Sequence, residues 1–136
     1  MKVLIVEDDP NLRLLWRNIL VNRGDDVTVA KDAPSAAVAL QLGGIDVVIL
    51  DFYLGRDDCA LLLRQAGETS PACKVVIVTG SALLPRQELF DMSPLVSSVH
   101  CKPVDIEEMQ AALDQLGDAA GRVTERVPEG WSRRAI

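Results

Sequence analysis

Three unbroken aliphatic runs, Val3 to Val6, Val47 to Leu50 and Val75 to Val78, constrain this chain more than any other feature. Each has strand length, is rich in Val and Ile, and does not alternate with polar residues. Each therefore predicts a strand covered on both faces, the burial pattern of a parallel sheet. Two more polar runs, Val27 to Ala30 and Leu95 to Cys101, the latter interrupted by Ser97, Ser98 and His100, predict the two edges of that sheet.

Helical spacings fill the intervals. Leu12, Leu15, Trp16, Ile19 and Leu20 share one stripe that ends near Gly24. A second helix is predicted from Asp32, with Pro34 in its first turn, to Gly43-Gly44. Leu61 to Ala66 and Leu83 to Met92 predict two more. The last starts from Asp105 as N-cap, with Glu108 at capping-box distance, and is predicted to stop at Gly117. Five alternations of strand and helix imply right-handed crossovers and an α/β fold, a doubly wound five-stranded parallel sheet with five helices.

A chain of 136 residues holds one such domain, expected over 1–118. Residues 119–136 lose the apolar period, and their predicted state is a flexible C-terminal tail, with Trp131 as its one candidate for docking. Residues 121–136 carry four Arg and two Glu, a net +2 that leaves −8 on the rest of a chain whose total is −6. That balance opposes nucleic acid and anionic lipid as partners. No apolar stretch has the length of a membrane span or signal peptide, so the expected location is cytoplasmic. Cys59, Cys73 and Cys101 form no metal-binding pattern and are expected to be reduced thiols.

The residues that close the strands carry the chemistry, because ligands of open α/β sheets bind beyond the carboxyl ends of the strands. The first run ends in Glu7-Asp8-Asp9, the third in Asp51, the fourth in Thr79 and the fifth in Lys102. Any one of these has a structural explanation as a cap or solvated charge; their joint occurrence along one sheet edge does not. Clustered carboxylates repel unless a cation sits among them, and Mg²⁺ is the hard cation that suits oxygen donors near a phosphate.

The order Glu7-Asp8, Asp51, Thr79 and Lys102-Pro103, with Arg13 six residues after Glu7, resembles the receiver domain of bacterial two-component response regulators over about residues 1–118. The resemblance implies a flavodoxin-like sheet of order 2-1-3-4-5. It implies that Asp51 accepts a phosphoryl group from a sensor histidine kinase or a histidine phosphotransfer protein. Asp8, Asp51 and the backbone carbonyl of Tyr53 would ligate Mg²⁺, Glu7 would hold a metal-bound water, and Thr79 and Lys102 would take phosphoryl oxygens. The expected role is a phosphorylation-controlled signalling domain, not an enzyme in its own right, that dephosphorylates itself slowly and acts on a downstream protein; homodimer formation is left open.

The sequence departs from that family's pattern at Val99, where an aromatic ring is usual, and His100 beside it is either a substitute or an ordinary strand histidine. Gly80 stands where Ala is usual, Gly55 where Pro is common and Cys59 where Gly is common. Residues 52–59 are accordingly expected to be a loop of altered conformation. Tyr53 and Ser81 flank the expected path of the hydrolytic water, where Tyr53 either shields the phosphoryl group or points to solvent.

Among other classes, a haloacid dehalogenase-type phosphohydrolase needs a second Asp two residues after the nucleophile, and Tyr53 stands there. An FMN carrier needs a Ser/Thr/Gly-rich first loop, and Glu7-Asp8-Asp9 would repel its phosphate. The remaining alternative is a pseudo-receiver, an interaction module that keeps the fold but is not controlled by phosphorylation.

Overall fold

The computed structural model describes residues 1–80 and 86–124. Five parallel strands, β1 (Lys2–Val6), β2 (Asp26–Ala30), β3 (Val47–Asp51), β4 (Lys74–Thr79) and β5 (Val96–Cys101), form one sheet in the order β2-β1-β3-β4-β5. The helices α1 (Pro10–Asn22), α2 (Ala33–Gln41), α3 (Arg56–Thr69) and α4 (Arg86–Asp91) connect them. From Asp105 the chain forms a separate unit containing α5 (Ile106–Thr124).

The three aliphatic runs are the buried centre of the sheet, as their lack of alternation requires. Leu4, Val6, Val48, Leu50, Val75 and Ile77 point to one face, where they share a cluster with Ala36 and Leu40 of α2, Leu62, Leu63 and Ala66 of α3, and Leu89 of α4. Val3, Ile5, Val47, Ile49, Val76 and Val78 are buried on the other face, and Trp16 and Leu20 are the buried residues of α1. The edge strand β5 follows a different rule. Its ladder with β4 shifts register between Val75 and Val76, so Val75 pairs with Val96 but Val76 with Ser98. The extra residue changes the parity of the strand, and Val96 and Val99, three apart, both reach the same core.

Helix starts follow local chemistry. The Asp9 side chain accepts hydrogen bonds from the Asn11 and Leu12 amides with Pro10 at the first helical position, so this third acid of the first strand end is a cap. Asp32 and Ser35 form a reciprocal capping box at the start of α2. The Glu108 amide donates to Asp105 Oδ1 at 2.7 Å, as the spacing predicts for α5.

Two boundaries differ from the sequence expectation. Residues 52–59 are not a loop: Phe52–Leu54 form a 3-10 turn and α3 begins at Arg56, five residues before Leu61. Gly55 makes that junction at φ 103° and ψ 156°, a conformation essentially reserved for glycine. Proline, locked near φ −65°, cannot occupy it. Helix α5 likewise passes Gly117 and runs to Thr124. A glycine inside a helix costs only about 1 kcal/mol against alanine, so it is a weak stop signal. Residues 83–85 of the fourth predicted helix, Ser81, and Trp131 in the predicted tail lie outside the described residues. No helix among the described residues is long and apolar enough to cross a membrane.

Candidate functional site

Each residue of the site closes a strand or follows it, so the parallel sheet itself brings them to one edge. Leu50 lies beside Val6 in the β1–β3 ladder and Asp51 beside Val78 in the β3–β4 ladder, which puts Glu7, Asp51 and Thr79 on consecutive strand ends. Thr79 is paired with Cys101, and its carbonyl accepts the Lys102 amide at 2.7 Å. That bond carries Lys102 past the end of β5 and back over the sheet.

Glu7 and Asp51 are both buried, at 3% and 2% exposure, and Asp8 is exposed at the rim. Lys102 Nζ stands 3.3 Å from a Glu7 carboxylate oxygen and 3.3 Å from Asp51 Oδ2, so one ammonium serves two buried carboxylates. Asp51 is held from its other side by the Tyr53 amide, which donates to Oδ1 at 3.0 Å. Glu7 accepts the Asp9 amide at 3.2 Å. Burial, together with the hydrogen bond shared with Asp51, pushes the Glu7 carboxyl up to about 7, against the smaller opposing pull of Lys102. For Lys102 burial acts downward, but the charges of Asp51 and Glu7 outweigh it and its pKa is raised.

Carboxylate oxygens of Glu7, Asp8 and Asp51 lie within 4.8 Å of one another. Three hard oxygen donors facing a single ammonium leave an excess of negative charge that a divalent cation balances, so the donor set fits Mg²⁺. The raised pKa of Glu7, caused first by burial and then by its hydrogen bond with Asp51, points in the same direction.

The structure therefore brings Glu7, Asp8, Asp51 and Lys102 together, with buried Thr79 on the adjoining strand end. The Tyr53 side chain is 76% exposed, so the phenol faces solvent. His100, half-buried in β5, has its Nε2 3.0 Å from Ser98 Oγ. Val99 is buried in the core, and its carbonyl accepts the Arg86 guanidinium at 2.6 Å.

Several supporting contacts were not foreseen. Arg13 donates to the Glu7 carbonyl at 2.9 Å and to that of Asp8 at 3.4 Å, fixing the backbone of the first strand end. The Cys59 thiol, pushed up to about 12 by burial and the neighbouring carboxylates, packs under Asp51 with Sγ 3.9 Å from its carbonyl oxygen. The Tyr53-to-Asp51 bond is an Asx turn, which the spacing alone could have suggested; Arg13 is part of the motif, but its contact with the Glu7 carbonyl and the fit of Cys59 under Asp51 were not foreseen. All three cysteines are free thiols.

The response regulator receiver domain family matches residues 3–114. The alginate biosynthesis transcriptional regulatory protein AlgB of Pseudomonas aeruginosa is 29% identical over 91% of this chain and 26% of its own length. The regulatory protein VirG of Agrobacterium tumefaciens is 28% identical over 98% of this chain and 48% of its own. The chain thus spans between a quarter and a half of these relatives. The response regulator TrrA of Thermotoga maritima, solved in complex with Mg²⁺-BeF, superposes with TM-score 0.71 at 23% identity, covering 85% of this chain and 99% of that one, a likeness of fold. Since AlgB is a transcriptional regulator, the expectation that nucleic acid plays no part rests on net charge alone and finds no support among the relatives.

Proposed function

Because the chain belongs to the response regulator receiver domain family, we propose that it is a phosphoacceptor. In this reading Asp51 takes a phosphoryl group from a phosphohistidine of a sensor kinase or histidine phosphotransfer protein. The observation that carries the reading is the Lys102 ammonium bridging buried Glu7 and Asp51 at 3.3 Å, beside exposed Asp8. A carboxylate oxygen of Asp51 attacks phosphorus in line; the phosphorus–nitrogen bond breaks, and the imidazole leaves with the electron pair and takes up a proton. Phosphoryl transfer through a loose transition state asks chiefly for alignment and charge neutralisation. The Asx turn from Tyr53 aligns Asp51, while Lys102, released from its shared carboxylates, pairs with phosphoryl oxygens and the Thr79 hydroxyl donates to another. Glu7, Asp8, Asp51 and the Tyr53 carbonyl would hold Mg²⁺, which supplies charge neutralisation for the incoming dianion. The phosphorylated state then alters protein contacts in the cytoplasm and decays slowly by hydrolysis.

Intact-mass measurement after exposure to a small phosphodonor in Mg²⁺ tests this directly. One added phosphoryl group is expected in the wild type, in Asp57→Asn and in Asp58→Asn, and none in Asp51→Asn. A wild type that gains no mass would favour the pseudo-receiver; uptake persisting in Asp51→Asn would move the acceptor elsewhere.

A further inference from the structure

An open groove of about 490 Å³ lies away from the carboxylates, between α2 and α3. Its α2 wall comes from a stretch, Ala33 to Leu42, without a single charged residue. The lining from α2 is Ala33, Pro34 and Ala37; Val38 (63% exposed) and Leu42 (81%) lie in the same stretch outside the lining, and across the groove Leu61 of α3 is 53% exposed. Apolar surface of this kind on a helix is normally covered. The two walls are tied by Gln65, whose amide donates to the Ala37 carbonyl at 2.8 Å, so the groove has a fixed width.

The charges on its α3 wall indicate what covers it. Asp58 and Arg64 stand three residues before and three after Leu61, and all three line the groove. Among the described residues neither Asp58 nor Arg64 makes an ion pair. A two-fold axis through Leu61, perpendicular to α3, sets Leu61 against Leu61 and each copy's Asp58 against the other's Arg64. Parallel pairing would set Asp58 against Asp58. The patch is thus complementary to itself in one orientation, which is the requirement of an isologous interface.

We propose that the α2–α3 face binds a second copy of this chain, α3 against α3 antiparallel about Leu61, with Asp58 and Arg64 paired across the axis. The proposal does not depend on phosphorylation at Asp51 and is tested without a phosphodonor. Sedimentation of the 136-residue chain from micromolar to near-millimolar concentration is expected to show a mass rising from 14.8 kDa towards twice that value. Arg64→Asp, which sets like charges together at both ends of the contact, is expected to weaken association by about tenfold or more. Asp58→Arg combined with Arg64→Asp is expected to restore it, and Leu61→Glu to abolish it. All of these are surface substitutions, and far-ultraviolet circular dichroism checks that each variant is folded. A wild type that stays at monomer mass throughout, a dimer indifferent to Leu61→Glu, or a charge-swapped variant no stronger than Arg64→Asp would overturn the proposal.

Discussion

A carboxyl group held at about 7, as Glu7 is by burial and by its neighbour Asp51, ties the stability of the fold to pH. Between about 4.5 and 7 the folded protein keeps this proton and the unfolded chain has lost it. The folded state therefore binds more protons in that window, and stability falls as pH rises through it. The contribution is fully present below about 4.5 and is gone above about 7, a difference of up to about 3 kcal/mol. In metal-free buffer Glu7→Gln should flatten this part of the profile, measured by denaturant unfolding at successive pH values; parallel curves for the two proteins would count against it. Lys102→Ala should still accept some phosphoryl group yet respond to it less, because the ammonium now shared by Glu7 and Asp51 is the cation available to pair with the phosphoryl group. At this scale the sequence was most legible where a side chain acts from a strand end, as for Asp51 and Lys102. It placed Arg13 in the motif, six residues after Glu7, but did not reveal that its guanidinium reaches back to the Glu7 carbonyl.

Among the elements, the start of α3 depends on one residue. Gly55 sits at φ 103°, and a β-carbon placed there would touch nothing within 4 Å, so the penalty of Gly55→Ala is purely conformational. A loss of about 1–3 kcal/mol in unfolding free energy is expected; an unchanged midpoint would mean that the junction relaxes without penalty. Glycine was read from sequence as a departure from a common proline, but its geometric reason needs the φ angle, which no spacing reveals. The central strands were legible because continuous apolar runs have few other homes. Strand β5 was legible in position but not in pattern, since a register shift that brings Val96 and Val99 to one face depends on its partner β4. Arg86 ties α4 to the Val99 carbonyl, so α4 and β5 should respond together. Hydrogen exchange is expected to change at both Arg86 to Met92 and Val96 to Val104 when a beryllofluoride phosphoryl mimic binds. An unchanged pattern with the mimic bound would place the response elsewhere.

For the whole molecule, a ligand that binds only the folded form adds stability by mass action, about 2.7 kcal/mol at roughly 100 times its Kd. Mg²⁺ should accordingly raise the melting temperature, and Asp8→Asn, at an exposed rim position that the core does not need, should remove most of the rise. Identical melting curves with and without Mg²⁺ would argue against a metal site. Length and charge identified one acidic domain and the aliphatic runs its sheet, but neither showed which apolar side chains stay exposed, such as Leu61 and Val38, because exposure has no signature in a linear pattern. The sheet order also has a lateral consequence. Asp51 and Thr79 close β3 and β4, while Glu7 and Lys102 follow β1 and β5; β2, on the other side of β1, supplies no side chain to the cluster. The chemistry of the site is therefore drawn from the β1–β3–β4–β5 side of the sheet, and the β2 edge takes part only through its backbone, whose Ala30 carbonyl accepts the Glu7 amide at 3.0 Å.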